Sequence, residues 1–267
     1  MTDMMRRGLL GGAVVAGATA LAGRAAAQNA PQVNPDAEKL QQQLQNFNDP
    51  DLLRVTPIGQ DWPNLHRYRI ANEDAVKQSI KPRAVFMGDS ITDNWAGFSA
   101  DWFEQNNLIG RGIGGQTSSQ MVVRFMADVV ALKPQIVHIM AGTNDIAENL
   151  DPYDPVATTN NLMAMVNMAT ASGIKVIMAS VPPATSFAWK PALGNRVEMV
   201  RALNVWIKQV CDRRGHTWCD YWPVLANSDG GLKTELGING ESVHPNKAGY
   251  DVMGPVVLAA VTAALGA

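Results

Sequence analysis

The chain has 267 residues, 46% of them hydrophobic and 17% charged, with a formal net charge of −2. This length can bury one sizeable core. The near-neutral balance gives no electrostatic footing for nucleic acid or an anionic membrane surface, and neither is expected as a partner.

Arg6 and Arg7 precede an apolar run at 8–23, and Ala25-Ala26-Ala27 follows it. This is the layout of a cleaved export signal over residues 1–27, with Gln28 as the first mature residue. The run is too short and too rich in Gly and Ala for a span, which takes about 20 strongly apolar residues. No stable membrane insertion is therefore expected after processing. The arginine pair, the weak hydrophobicity and Arg24 beside the cleavage site favour the twin-arginine route and a periplasmic or secreted product. An uncleaved anchor is the alternative.

Residues 28–50 are polar, with Gln41-Gln42-Gln43, and read as a helix start or a tether. From 51 to 80, Trp62, Leu65, Tyr68 and Ile70 stand among charges, the pattern of an amphipathic lead-in helix packed on the main domain. From Arg83 onward strands and helices alternate. Strands are expected at 84–87, from Leu108, at 136–140, at 174–179 and at 216–221. Helices are expected near 98–105 and over 118–130, 155–172, 195–214 and 245–265. Five short apolar strands separated by helices predict a three-layer α/β/α domain at 51–267 with a five-stranded parallel sheet. Ligands of such sheets bind outside the carboxyl ends of the strands.

That rule sorts the candidate residues. Ser90, in Gly88-Asp89-Ser90, sits in the turn after the first strand, where the N–H groups of a following helix face its oxygen. It is placed as a nucleophile, although a helix cap looks the same in isolation. Gly112-Ile113-Gly114-Gly115-Gln116-Thr117 follows the second strand and Gly142-Thr143-Asn144-Asp145 the third, at the same edge. Backbone N–H groups beside a glycine and an asparagine amide are the donor types that stabilise an oxyanion. Of four histidines, His66 lies in the lead-in segment, His138 inside a strand and His216 at a strand's start. Only His244 can share an edge with Ser90 and accept its proton. Glu241, three residues earlier, is within reach to hold the imidazole tautomer. Asp89 and Asp145 could also accept, but more simply brace their own loops.

The four blocks in this order, Gly-Asp-Ser at 88–90, the glycine loop at 112–117, Gly-Thr-Asn-Asp at 142–145 and His-Pro-Asn at 244–246, resemble the SGNH-hydrolase superfamily, the GDSL esterases and lipases. The resemblance runs from about Arg83 to the C-terminus and implies a flavodoxin-like strand order. It also implies Ser90 as nucleophile, His244 as base, and an oxyanion hole made by the N–H groups of Ser90 and Gly115 and the amide of Asn144. One position departs: the family's block has Asp three residues before the histidine, where this chain has Glu241. Either the loop adjusts to the longer side chain or the site works mainly as a Ser–His dyad.

The resemblance implies an ester hydrolase with no cofactor or metal, acting on a small-molecule or carbohydrate ester. A short acyl group is favoured, with a lysophospholipase- or lipase-type acylhydrolase as the alternative. Phe187 and Trp189, after the fourth strand, are candidates for a pocket wall or for a lid over the core. Trp95 is expected to pack. Gly110-x-Gly112-x-x-Gly115 matches a dinucleotide-binding fingerprint, but the acidic residue that motif needs about 20 positions on is absent near Gln135. A non-catalytic glycan- or lipid-binding module would have no need of Ser90, Asn144 and His244 together. Cys211 and Cys219 either close a small disulfide loop or remain buried thiols. The sequence does not specify an oligomeric state.

Overall fold

A computed structural model describes residues 61–266. The expected export signal, the polar segment and the first residues of the lead-in stretch lie outside the described residues.

Five strands, β1 (Ala84–Gly88), β2 (Leu108–Gly112), β3 (Ile136–Met140), β4 (Lys175–Ala179) and β5 (Thr217–Cys219), form one parallel sheet in the order β2-β1-β3-β4-β5. Every residue of β1 and β3 is buried. Covered on both faces, these strands are near-continuous apolar runs rather than alternating ones, with His138 the one polar residue in them. Their register pairs Gly88 with Gly112 on one side and with Met140 on the other, so three strands end level. The chain moves outward from β1 to β2 and then crosses back to β3. The topological switch, where such sheets open a crevice, therefore lies between β1 and β3.

The helices are α1 (Arg69–Lys77), α2 (Ser90–Phe98), α3 (Ala100–Gln105), α4 (Ser118–Asp128), α5 (Thr143–Ile146), α6 (Pro155–Ala171), α7 (Val197–Arg214), α8 (Trp222–Leu225) and α9 (Lys247–Leu265). Local chemistry marks their ends. A Thr117/Gln120 capping box opens α4, and Asp154 accepts from the N–H groups of Val156 and Ala157 ahead of α6, with Pro155 in its first turn. Gly215, left-handed, closes α7. Helix α9 is apolar and long enough to cross a membrane by composition, but it packs against β4 and β5 with Val257 and Val261 buried.

Trp95 is a packing residue, as expected, stacked between Trp102 and Tyr250 at centroid separations of 5.6 and 5.5 Å. His138 is a core residue, also as expected. It stacks on Phe86, its Nε2 is 2.9 Å from the Tyr221 hydroxyl, and burial drives its pKa down to about 3.

A buried polar network ties the ends of β1 and β2 together. Arg124 on α4 donates to the carbonyls of Gly88 and Arg111 (both 2.8 Å), to Gln116 Oε1 (2.6 Å) and to Asp128 (2.9 Å). Asp128 in turn accepts from Asn72 of α1, and Asn72 accepts from Arg111. A guanidinium with its donors this fully used can remain charged in the core.

Two expectations need correction. The lead-in segment is not one amphipathic helix packed by Trp62, Leu65 and Ile70, all of which are exposed. Pro63 and the left-handed Asn64 keep residues 61–68 in turns, and the helix starts only at Arg69. The segment attaches through polar contacts instead: Gln116 and Gln120 donate to the carbonyls of Pro63 and Trp62, and the Tyr68 hydroxyl donates to Gly112 O. Strand β5 is three residues rather than six. Of the two readings open for the cysteines, the structure has the second: Cys211 and Cys219 are both free buried thiols, pushed up to about 11 and about 12 by desolvation.

Candidate active site

Ser90 is the first residue of α2, two residues past the end of β1. Asp89 caps the helix by accepting from Ile91 N (2.9 Å), which leaves the next residue's hydroxyl free for other work. Gly112 allows the turn to sit there: a Cβ at that position would lie 2.1 Å from Asp93 N and 2.7 Å from Asp89 O. The turn that carries Ser90 therefore rests directly on the end of β2. Asp89 is fully buried, and desolvation raises its pKa to about 6 against the pull of its cap hydrogen bond and of nearby His244.

The second and third blocks meet beside Ser90. Gly115 is left-handed (φ 76°), a conformation suited to glycine, and turns the loop so that Gly114 lies against the Ser90 side chain. Among the described residues, no acceptor meets the N–H of Ser90 or of Gly115. Asn144, on α5 and almost fully buried, donates from Nδ2 to Gln116 O (3.0 Å). An amide nitrogen carries two hydrogens, so one remains. Asp145 braces more than its own loop: it accepts from Ser118 N (2.9 Å) and Ser118 Oγ (2.5 Å), pinning the start of α4, and from Thr158 of α6. Burial raises its pKa.

His244 lies between β5 and α9 in a tightly closed loop. Ile238 N donates to its carbonyl (2.9 Å), and Asn246 caps α9 while its Nδ2 donates to the carbonyls of Glu235 and Gly237. The His-Pro-Asn block thus carries the histidine and the device that anchors it. Its Nε2 is 2.9 Å from Ser90 Oγ, and its Nδ1 is 2.5 Å from Glu241 Oε1. Residues separated by 154 positions are brought into hydrogen-bond contact. The longer carboxylate reaches the ring, which favours the adjusted loop over a bare dyad. His66 is exposed and bonded to Asp61, and His216 lies at the opposite end of the strands.

The two aromatic candidates separate. Phe187 is in the core, 1% exposed, so it is a lid residue and not a pocket wall. Trp189 is 40% exposed, with its ring 5.9 Å from that of His244 and 5.3 Å from Phe187. Its Nε1 donates to Asn149 Oδ1 (2.9 Å), and Asn149 Nδ2 donates to Asn144 Oδ1 (2.7 Å) and Gly115 O (3.2 Å). Sequence reasoning missed Asn149. Its one available signal was its place in the same turn as Asn144, five residues on.

A family model described as the GDSL-like Lipase/Acylhydrolase family matches residues 86–252. The chain belongs to this family. Family membership makes it a carboxylic ester hydrolase, and the match spans all four blocks. It is 39% identical to an acylhydrolase of known structure from Bacteroides fragilis NCTC 9343, covering 77% of this chain and 99% of that one with a TM-score of 0.73. It is 36% identical to a GDSL-like lipase from Bacteroides thetaiotaomicron VPI-5482, covering 76% and 98% with a TM-score of 0.70. Among curated sequences it is 28% identical over 152 residues to the uncharacterized lipoprotein YqeF of Bacillus subtilis (strain 168). That match takes in 49% of this chain and 62% of the relative's length.

Proposed function

We propose that this GDSL-family protein is an exported serine esterase in which Ser90 attacks the ester carbonyl. The observation that carries the reading is the contact chain Ser90 Oγ, His244 Nε2, His244 Nδ1, Glu241 Oε1, at 2.9 and 2.5 Å. As Ser90 Oγ bonds to the carbonyl carbon, His244 Nε2 takes its proton, and Glu241 stabilises the imidazolium through Nδ1–H. The carbonyl oxygen gains charge and is met by the N–H groups of Ser90 and Gly115 and by the free Asn144 N–H. His244 then returns the proton to the departing alcohol, leaving an acyl-Ser90. It next takes a proton from water, whose oxygen attacks the acyl carbon, and gives that proton back to Ser90 as the acid leaves. The side chains and water suffice for this cycle.

Trp189, exposed beside His244, is the candidate wall for the substrate. A short acyl group such as acetyl, on a saccharide or similar small alcohol, fits this reading best. Cleavage after Ala27 by the twin-arginine route and release to the periplasm or exterior complete it, and the name lipoprotein borne by the Bacillus subtilis relative agrees with a location outside the cytoplasm. The test is labelling with a fluorophosphonate probe alongside hydrolysis of p-nitrophenyl esters of increasing chain length and of acetylated saccharides. Wild-type protein should be labelled at Ser90 and be fastest on acetate. Ser90→Ala should fold normally, escape labelling and lose at least about 1000-fold in kcat. Retention of activity within tenfold would remove Ser90 from the mechanism.

A further inference from the structure

The oxyanion-hole amide is the end of a hydrogen-bonded chain whose direction is set from outside the hole. An asparagine side chain can turn over and exchange its oxygen for its nitrogen, and only one orientation of Asn144 presents N–H to the substrate. The tryptophan indole N–H can only donate, so Asn149 must turn its Oδ1 to Trp189. Its Nδ2 then faces inward, with one hydrogen on Gly115 O and the other on Asn144 Oδ1. Asn144 consequently presents Nδ2 on its far side, where the Gln116 carbonyl, an acceptor only, receives one hydrogen. With a donor fixed at one end and an acceptor at the other, one arrangement satisfies every group.

The turn that carries Asn149 also grips the loop that carries Trp189. Glu148, left-handed at φ 55°, accepts from Lys190 Nζ at its carbonyl (3.1 Å) and pairs its carboxylate with Arg196 (3.1 Å). Ser242, two residues before His244, donates to Ser186 O of the same loop (3.0 Å). The Trp189 loop therefore touches both the oxyanion side and the histidine side of the site.

We propose that Asn149 is a positioning residue that locks the Asn144 amide in its donating orientation and couples that lock to the Trp189 wall. Substrate pressing on Trp189 then tightens the chain that ends at the oxyanion, so contact energy at the wall is expressed as kcat rather than as ground-state affinity. The inference rests on the serine-esterase reading above.

Asn149→Asp is the decisive change because it keeps the shape and removes both donors. A carboxylate faces Asn144 Oδ1 and Gly115 O with no hydrogen to offer; turning the Asn144 amide over to donate to it sets Oδ1 against the Gln116 carbonyl, so no orientation satisfies both ends and the donating one is no longer locked. The expected result with p-nitrophenyl acetate is a fall in kcat of about 100-fold, the scale of a lost oxyanion donor, with KM within threefold. The midpoint of the kcat/KM pH profile should be unchanged, because the Ser90–His244–Glu241 relay is intact. Trp189→Phe keeps the ring but loses the N–H. It should lower kcat about 2- to 10-fold in the wild-type background and have no further effect in Asn149→Asp. Asn149→Asp with kcat within threefold of wild type overturns the proposal, as do effects of the two changes that multiply independently. A purely structural role is distinguished by a raised KM and a shifted pH midpoint, and that pattern also overturns it. Ser90→Ala, assayed in parallel, separates this failure from failure of the serine reading: if Ser90→Ala is active, the parent reading falls first.

Discussion

Glu241 shows how one added methylene is accommodated. The related motif places Asp three residues before the histidine, and the carboxylate here still lies 2.5 Å from His244 Nδ1. The loop absorbs the length: Gly237 packs so closely on the Glu241 carbonyl that a Cβ would lie 2.1 Å from it, and Glu241 N donates to Ile238 O. Glu241 is one-third exposed, so in the proposed mechanism water partly shares the task of stabilising the imidazolium. Glu241→Gln, which keeps an acceptor and loses the charge, should lower kcat/KM about 100-fold, and His244→Ala by ten times more. Steady-state rates on a short aryl ester decide it. Equal losses in the two variants would show that the carboxylate charge is as indispensable as the base itself. At this scale the sequence was legible wherever a block carried its own chemistry: residue type and strand edge single out Ser90, His244, Asn144 and the glycine loop, and the fold brings these residues to one edge. Asn149 could not. Its proposed role depends on contacts with positions 115, 144 and 189, and no local pattern shows that these converge.

Elements were legible where burial is complete. Strands β1 and β3 are buried at every position and apolar at all but His138, and α6 and α7 ended within two residues of their expected limits because Pro155 and Gly215 mark the boundaries chemically. The lead-in segment was misread because spaced aromatics imitate a helical stripe, whereas its attachment is polar and runs through backbone carbonyls. The same polar layer contains Arg124, a charged helix residue that is fully buried in the fold. Desolvation lowers its pKa while Asp128 supports the charge. Arg124→Met should destabilise the protein by about 3–5 kcal/mol, because it strands the Asp128 carboxylate. Adding Asp128→Leu should recover part of that loss, since an apolar pair leaves no unpaired charge, although the carbonyls of Gly88 and Arg111 still lack their donor. Urea denaturation of the three proteins checks this. A double variant no more stable than Arg124→Met would show that the lost carbonyl contacts, and not the stranded charge, set the cost.

Across the whole molecule, two buried titratable groups impose opposite pH dependences on stability. His138 is held neutral, with its pKa depressed from 6.5 to about 3. The unfolded chain binds the extra proton between these values, so His138 makes stability rise with pH from about 3 to 6.5 and its contribution is lost on acidification. Asp89 is raised from 3.8 to about 6. Here the folded chain holds the extra proton, so stability falls as pH climbs from about 4 to 6, and the cost of the buried carboxylate is fully present above that window. Each slope is at most about 1.4 kcal/mol per pH unit, and between pH 4 and 6 they offset one another. A group that caps the nucleophile helix and one that fills the sheet core are thus linked through protons without touching. Asp89→Asn keeps a capping acceptor and removes the titration. Its stability relative to wild type should increase between pH 4 and 6 and then level off, leaving it the more stable protein at pH 7. His138→Gln removes the opposing slope, so its deficit against wild type should widen from pH 3 to 6.5. Urea midpoints at half-unit pH steps read both differences, with all other carboxylates cancelling between variant and parent. A difference curve for Asp89→Asn that stays flat across pH 4–6 would mean that Asp89 titrates alike in the folded and unfolded chain, and the buried nucleophile turn would carry no ionisation cost.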